Sequence, residues 1–318
     1  MNSIAFRKFK IVNLLLNKSI FNNDIIKVIL THYWNIVEKK CKVLLPWIDK
    51  NKLNSENLSY NENSIDFLIE NQDKIDWKAL CFNKDACKIF KDNLEKIDWY
   101  FLSENHNCIT ILQNNVNKIQ WNNLSKNRNA INLLKENVDK INWSILSLNE
   151  NAIDLLKSNI DKIDWKYLVI NKNIEIIEIL QENQDKIDWH LLSYNKNSIS
   201  LLRDNLDKVD WSSLSYNENA ISILSNNIDK IDWRALSGNI NAIDLLKNNY
   251  DKIDWKYLSG NKNAISLLRD NLDKIDWNQL CLNEMAMDLL KNNLDKINWY
   301  YLSINSAIFC DESIPNML

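Results

Sequence analysis

The hydrophobic pattern of this chain repeats every 22 residues. Counted from a tryptophan as position 1, a unit has Leu at position 4, Asn at 7, a small residue at 10, apolar residues at 11, 13 and 14, Asn at 17 and Lys at 20. The tryptophans are residues 77, 99, 121, 143, 165, 189, 211, 233, 255, 277 and 299, and Ser55 takes position 1 of a first copy. A fixed period of this kind is typical of solenoids. We therefore expect one elongated body of about twelve units.

Apolar residues at helical spacing predict two short helices in each unit. Asp or Asn at position 22 stands just before Trp and Leu at positions 1 and 4, which is a helix-start signal. We expect Asn at position 7 to cap the second helix. Because the chain has only two glycines, we expect Asn at position 17 to supply a left-handed C-cap, followed by an apolar Schellman contact at position 18.

The predicted fold is therefore all-α, an α-α solenoid of about twelve 22-residue helix-turn-helix repeats. The alternative is a leucine-rich-repeat-like β/α solenoid, which requires an apolar residue at position 6. Several units have Glu, Lys or Gly there instead, among them Glu104, Lys126 and Gly238. The interval from Trp165 to Trp189 is 24 residues, which predicts a bulge in the second helix of that unit.

The extent of the repeat divides the chain into three segments. Residues 1–50 lack it and are expected to form a helical N-terminal cap, with a small adaptor module as the alternative. Residues 51–310 form the solenoid, and residues 311–318 are expected to fray. No apolar run approaches the length of a membrane span, and the N-terminus lacks a cleavable signal, so we expect a protein that is not secreted.

Composition narrows the functional classes further. The net charge of −3 gives no basic field for phosphate backbones, which disfavours nucleic acid. Six cysteines without a CxxC pair predict reduced, structural thiols and a cytoplasmic location. Two glycines exclude a phosphate-binding loop, and the three histidines lie far apart in sequence. We therefore predict no catalytic, cofactor-binding or metal-binding residues and no enzymatic activity.

The strings LSGNINAIDLLKNNYDKIDW (236–255) and LSYNENAISILSNNIDKIDW (214–233) resemble the short helical repeats of proteins from giant DNA viruses of amoebae, the mimivirus relatives. The resemblance covers residues 47–305. It departs at position 8, where that family has Pro and this chain has residues such as Glu62 and Lys84. The resemblance implies a viral origin, and a location in the host cytoplasm or the virion, more than it implies a task.

Positions 2, 3 and 6 of the first helix share one side, which we call the first-helix stripe. Aromatic and Arg enrichment on such a stripe is typical of protein-binding surfaces, whereas the Trp and Leu of positions 1 and 4 are expected in the core. The candidate partner-binding residues are Tyr100, Phe101, Lys166, Tyr167, Tyr194, Tyr216, Arg234, Lys256, Tyr257, Tyr300 and Tyr301. In the alternative interpretation, positions 3 and 6 are half-buried between units.

The function predicted from these residues is a non-enzymatic protein-protein interaction scaffold that binds a host or viral protein. A structural virion or assembly component is the alternative, since the array itself would then be the function. A nucleic-acid-binding repeat array is a third hypothesis, which the net negative charge disfavours.

Overall fold

A computed structural model describes residues 42–311. Leu44–Cys310 forms one compact unit that contains all the repeats, and we call it the repeat body. Met1–Val43 with Asp311–Leu318 forms a second unit, of which residues 42, 43 and 311 are described. The helical cap predicted for residues 1–50 therefore lies mostly outside the described residues, and the part that is described begins with a strand. The tail at 312–318 also lies outside them.

The repeat body is built from short helix pairs, which confirms the all-α solenoid. Numbering the units from Ser55, the first helices are Ser55–Tyr60, Trp77–Leu80, Trp99–Leu102, Trp121–Leu124, Trp143–Leu146, Trp165–Leu168, Trp189–Tyr194, Trp211–Tyr216, Trp233–Gly238, Trp255–Ser259, Trp277–Leu282 and Trp299–Leu302. The second helices of units 1 to 11 are Ile65–Glu70, Cys87–Phe90, Ile109–Gln113, Ile131–Lys135, Ile153–Lys157, Ile176–Glu182, Ile199–Arg203, Ile221–Ser225, Ile243–Lys247, Ile265–Arg269 and Met287–Lys291.

Turns of 3₁₀ helix connect these elements. Those that link one unit to the next are Gln72–Lys74, Leu94–Lys96, Val116–Lys118, Val138–Lys140, Ile160–Lys162, Gln184–Lys186, Ile228–Lys230, Tyr250–Lys252, Leu272–Lys274 and Leu294–Lys296. Those that follow a first helix are His106–Cys108, Lys196–Ser198, Lys262–Ala264, Glu284–Ala286 and Ser306–Ile308. Within residues 42–311 the strands are Lys42–Leu44 and Phe309–Asp311, which pair in one sheet. No repeat unit has a strand before its helices, so the leucine-rich-repeat alternative is wrong.

Each first helix begins where the sequence predicts. In unit 9 the Asp232 carboxylate accepts a hydrogen bond from the Ala235 N–H at 3.1 Å, which satisfies one free donor of the first turn. The serine at position 5 then joins consecutive first helices. Ser237 Oγ donates to the Trp233 carbonyl at 2.7 Å and accepts from the Asp254 N–H at 2.9 Å.

In units 3, 7, 10 and 11 the asparagine at position 7 caps the 3₁₀ helix that runs directly into the second helix, as predicted. It also has a second role, which was not predicted. Asn239 ends the first helix of its unit, its side-chain oxygen accepts from the Asn241 N–H, and the second helix begins only at Ile243. Its Nδ2 donates to the carbonyls of Ser215 and Asn217 in the preceding unit, at 3.1 and 3.0 Å. Because two buried carbonyls of each turn need donors, an amide side chain is required here. These asparagines form a ladder that joins every unit to the one before it.

The structure also corrects the prediction for the asparagine at position 17. Within residues 42–311 no residue has a positive φ, so the predicted left-handed cap is wrong. Asn249 has φ −134° instead, and its Nδ2 donates to the Leu245 carbonyl at 2.9 Å. The side chain thus satisfies a free carbonyl at the end of the helix, which the backbone would otherwise do. The apolar residues at position 18 make no Schellman contact and lie exposed, as Leu272 does at 44%.

The extra pair of residues in unit 6 lengthens its second helix. Ile176–Glu182 has seven residues, against five in most other units, and no π-helical turn occurs in it. Ile174, just before the helix, is 61% exposed. The predicted location is correct, but the bulge is wrong, because four buried residues of the longer helix continue the core stripe.

Unit 1 packs against unit 12, so the repeat body is a closed ring and the predicted elongated body is wrong. The Asn61 amide donates to the carbonyls of Ser303 and Asn305 at 3.2 and 3.1 Å, which is the same ladder contact found between sequence neighbours. Asn57 Nδ2 donates to the Tyr300 carbonyl at 2.8 Å, and Asn63 Nδ2 donates to Ser306. The apolar face of unit 1 is therefore covered by unit 12.

The twelfth unit is composite, because both ends of the repeat body contribute to it. Residues 52–54 take positions 20 to 22: Lys52 lies over the Trp299 ring at 5.1 Å, Leu53 is buried, and the Asn54 N–H donates to Ser303 Oγ at 2.9 Å. The Leu45 N–H donates to the Ile308 carbonyl at 2.8 Å. The closing segment before Ser55 thus replaces the linker that the last unit lacks.

Candidate functional site

Between units 1 and 2, and from unit 7 to unit 12, the first helices of successive units are in closer contact than the second helices are. In a closed ring the more closely spaced elements lie nearer the axis, so the first helices form the inner layer and the second helices the outer layer. The turns at positions 7 to 10 lie along one edge of the ring, which we call the ladder edge. The turns at positions 17 to 21 lie along the other edge, which we call the linker edge.

The structure separates the three positions of the first-helix stripe by exposure. Positions 2 and 6 are open, with Tyr100 and Tyr300 at position 2 being 55% and 52% exposed, and Tyr194 and Tyr216 at position 6 being 42% and 38% exposed. Lys166, Arg234 and Lys256 at position 2 are exposed as well. Position 3 is half-buried between units, as the alternative interpretation expects, and holds Phe101, Tyr167, Tyr257 and Tyr301.

Ring closure places two parts of the stripe that are distant in sequence on neighbouring units. Tyr300 and Tyr301 of unit 12 contact each other edge to face at 5.5 Å, and unit 12 adjoins unit 1. In units 1 to 3, the aromatic ring centroids of Tyr60 and Phe82 lie 5.4 Å apart, and those of Phe82 and Phe101 lie 5.0 Å apart. We call this set, with Tyr100, the closure arc.

A second aromatic set, which includes cations, lies in units 6 to 10. Tyr194 and Tyr216 stack at 5.8 Å, and Arg234 Nη2 donates to the Tyr257 hydroxyl at 2.7 Å with its guanidinium 4.8 Å from the ring. Partial burial, with the nearby Tyr257 and Asp232 oxygens, raises the pKa of Tyr216. The residues of this set, the cationic arc, are Lys166, Tyr167, Tyr194, Tyr216, Arg234, Lys256 and Tyr257.

The two glycines interrupt the exposed row at position 6 within the cationic arc. Gly238 and Gly260 have negative φ, so their backbone does not need glycine. A Cβ would meet Tyr257 at 3.8 Å beside Gly238, and Gln279 Oε1 at 3.6 Å beside Gly260, both ordinary contacts. Glycine in a helix costs roughly 1 kcal/mol relative to alanine. What these glycines provide is open space above the half-buried Tyr257.

Two sets of residues were missed from the sequence. Tyr60 and Phe82 extend the closure arc, and their signal was their place at position 6 of units 1 and 2. The lysines at position 20 are not merely solvated, because in units 2 to 10 they lie over the tryptophan of their own unit, for example Lys140 over Trp121 at 4.5 Å. This contact covers tryptophans that are only partly buried, and it fixes the lysines along the linker edge.

His190, Asp210 and Ser213 lie together, yet their arrangement is not a catalytic triad. One ring nitrogen, His190 Nδ1, lies 3.3 Å from Asp210 Oδ2 and 3.1 Å from Ser213 Oγ, whereas a proton relay needs the two ring nitrogens to face different partners. Ser213 is fully buried. Partial burial acts to raise the pKa of Asp210, but hydrogen bonds from Ser213 and His190 outweigh it and lower the pKa. The carboxylate is thereby held charged as a helix cap.

The cysteines differ from the predicted set of reduced thiols. Cys87 and Cys108 form a disulfide that joins units 2 and 3, with their Cα atoms 5.5 Å apart. Cys81 and Cys281 are buried free thiols, as predicted, and burial raises the pKa of Cys81 to about 11. This disulfide contradicts the prediction of reduced thiols for Cys87 and Cys108, and it weakens the inference of a reducing compartment that was based on that prediction.

Within residues 42–311 no group of three or more His, Cys, Asp or Glu residues is placed to hold a metal ion. In the same part of the chain, none of the helices combines the length and the apolar character that crossing a membrane requires.

The fold and the stripe define an α-helical repeat protein whose units close into a ring and whose first helices carry two sets of aromatic residues, the closure arc and the cationic arc. Comparison with protein-family models, with curated proteins and with solved structures finds no match to the chain.

Proposed function

We propose that the protein is a non-enzymatic scaffold that binds a protein partner through the first-helix stripe. The observation that carries the proposal is the exposure of aromatic side chains at positions 2 and 6, on helices that the asparagine ladder holds in register. Rigid aromatic anchors lose little conformational entropy on binding and dominate interface energetics. The resemblance of the repeats to those of giant viruses adds the expectation of a host or viral partner, met in the host cytoplasm or the virion.

The position of the stripe on the inner layer limits what the partner can present to it. A narrow segment of chain can run along consecutive units and meet the same positions in each, as extended peptides do in other repeat proteins. The stripe carries Lys78, Lys126, Lys166, Arg234 and Lys256 against Glu56 and Glu104. This excess of cations favours a partner segment with acidic residues.

The test is proximity labelling in infected or transfected cells with three forms of the chain. In the site variant, Tyr194→Ala and Tyr216→Ala remove the stacked pair of the cationic arc. In the control, Ile69→Ala truncates a side chain of similar exposure, 38%, on the outer second helix of unit 1. We expect the site variant to lose specific labelled proteins that the control retains. An identical labelled set for all three chains would refute the first-helix stripe as the binding face.

Nucleic acid is the competing ligand for a face of aromatic and cationic residues, because bases stack on aromatic rings without sequence preference. Titration of the purified chain with single-stranded RNA and DNA at several salt concentrations measures this directly. Under our proposal we expect no binding with a steep salt dependence, and such binding would favour the nucleic-acid reading instead.

A further inference from the structure

The linker edge of the ring carries a row of exposed apolar side chains that the proposed function does not use. At position 18 the exposed fractions run from 37% to 50%, in a place where the neighbouring residues of the turn are polar. The members are Leu94, Val116, Val138, Ile160, Leu206, Tyr250, Leu272 and Leu294, with Ile228 less exposed. The row is interrupted by Gln184 in unit 6 and by Gln72 and Lys50 where the ring closes. A row of exposed apolar side chains of this extent on a folded protein marks an interaction surface.

The ladder edge differs from the linker edge both in its charges and in its exposed apolar residues. At the ladder edge, position 8 is mostly charged, and its charges pair between units, as in Lys84 with Glu62 at 2.7 Å and Lys262 with Glu284 at 2.6 Å. Apolar exposure there is confined to scattered residues such as Ile174 and Met285. The linker edge instead has a periodic apolar row beside exposed acidic residues, such as Asp229.

We propose that the linker edge is a self-association surface, on which two copies of this chain stack ring against ring. The row has an apolar residue in nine of the twelve units around a closed circle of fixed circumference. A second copy presents the same spacing on the same circumference, so most of the row is matched at once. A twofold axis in the plane between the rings makes the interface isologous, the commonest arrangement of soluble dimers.

The charges of the linker edge are self-complementary. Position 19 is acidic in nearly every unit and position 20 is Lys, as in Asp229 and Lys230, so the edge is close to neutral and alternates in sign. In units 2 to 10 the lysine lies over the tryptophan of its own unit, as Lys230 lies over Trp211 at 4.6 Å. The twofold axis reverses the direction of the row, and acids of one copy then lie opposite lysines of the other. Like charges do not have to meet.

The linker edge offers an extended surface to a second copy. Eight of its apolar side chains are 37% to 50% exposed, and the Asp and Lys of the same turns extend this surface toward the size of a standard interface, about 800 Å² from each partner. Removing this apolar surface from water is the main driving force for association. The second copy also leaves the inner layer of each ring unoccupied, so self-association and partner binding are separate.

The test is analytical ultracentrifugation of the full chain over a wide concentration range. We expect the wild-type chain to sediment as two copies. The variant with Ile160→Lys, Leu272→Lys and Leu294→Lys places cations within the apolar row and should sediment as one copy. The control with Ile174→Lys and Met285→Lys changes residues that are more exposed, 61% and 63%, on the ladder edge, and should remain paired.

A second variant tests whether the triple lysine variant loses dimerisation only because it misfolds. Alanine at the same three positions retains the fold, as checked by circular dichroism, and should weaken dimerisation at least about tenfold, roughly 1.4 kcal/mol. A wild-type chain that stays single at every concentration would overturn the proposal, as would a lysine triple that still pairs. If the single wild-type chain instead floats with lipid vesicles through these residues, the row is a lipid-binding surface and self-association is wrong.

Discussion

At the scale of the residue, the asparagine at position 7 makes the hydrogen bonds that join each unit to the one before it. Its amide supplies both donors that the preceding turn lacks, and its oxygen accepts one N–H of its own turn, as Asn217 shows with Ser193, Asn195 and Asn219 at 2.9 to 3.0 Å. No other short side chain has two donors and an acceptor in this arrangement. The residue therefore combines a cap on its own turn with hydrogen bonds between units.

Asn217→Ala is therefore expected to destabilise the chain strongly. It leaves two buried carbonyls without donors, which should lower the free energy of unfolding by about 2–4 kcal/mol. The measurement is urea denaturation followed by circular dichroism. The matched control is Asn226→Ala on the exposed surface of the same unit, where a change within about 0.5 kcal/mol is expected. Equal effects of the two substitutions would contradict the ladder.

The ion pairs of position 8 predict a specific pH dependence. Hydrogen bonds from Lys262 and Ser306 lower the pKa of Glu284. A carboxyl group with a lowered folded-state pKa adds stability above its unfolded pKa of about 4.3, and that stability is lost as the pH falls through the folded-state pKa. We expect Glu284→Gln to reduce the free energy of unfolding at pH 7 by less than about 1 kcal/mol, because the pair is largely exposed.

We expect the difference in unfolding free energy between wild type and Glu284→Gln to decrease as the pH is lowered from 7 to below 4. Glu182→Gln, at an exposed end of the second helix of unit 6, serves as the control. A difference that grows as the pH falls would have the wrong sign for this mechanism.

At the scale of the element, the Cys87–Cys108 disulfide joins two consecutive units and closes a loop of 22 residues. In the chain-entropy description such a loop adds about 3 kcal/mol of stability. We expect a reductant to lower the wild-type free energy of unfolding by about 2–4 kcal/mol. Cys87→Ile restores the residue found at position 11 in most units, and its stability should not respond to the reductant. A reductant effect of equal size in both chains would exclude the bridge.

The sequence predicts the elements well and their junctions less well. Trp, Leu and the Asp cap define the first helix directly, because these signals act within one helical turn. The second α-helix begins only at position 11, because positions 8 to 10 form a short turn, and Asn239 also contacts the preceding unit, which no single-unit pattern contains. Asn249 has a negative φ, because its side-chain amide donates to the free carbonyl of Leu245 in place of a left-handed backbone cap. Both asparagine side chains make a hydrogen bond that the sequence did not predict.

The candidate site was predicted in the same uneven way. Positions 2 and 6 are exposed because they lie away from Leu at position 4, as helical periodicity requires. Position 3 is half-buried because side chains of the preceding unit's first helix cover it, as Arg234 covers Tyr257, and the spacing of these helices depends on the ladder. Tyr300 and Tyr60 belong to one arc only because the ring closes, and no local signal in residues 299–305 predicts this.

At the scale of the whole molecule, closure makes the contact between units 12 and 1 equivalent to any other. Asn61→Ala removes the same two ladder bonds that Asn217→Ala removes, but at the junction of the chain ends. We expect the two substitutions to lower the free energy of unfolding by the same amount, within about 1 kcal/mol, in urea denaturation. In an open array Asn61 would lie at a free end, and its replacement would cost no more than a typical surface change.

Open solenoids can gain or lose units by duplication and deletion, because each junction is local and the ends are free. This chain does not have that freedom. Twelve units that return to their starting point turn by about 30° each, and a thirteenth would require every junction to adjust its angle. The composite last unit adds a second restriction, since Lys52 and Trp299 meet only at the correct number of copies. The copy number is therefore a property of the assembled circle, and a duplication of 22 residues would act on all of the junctions together.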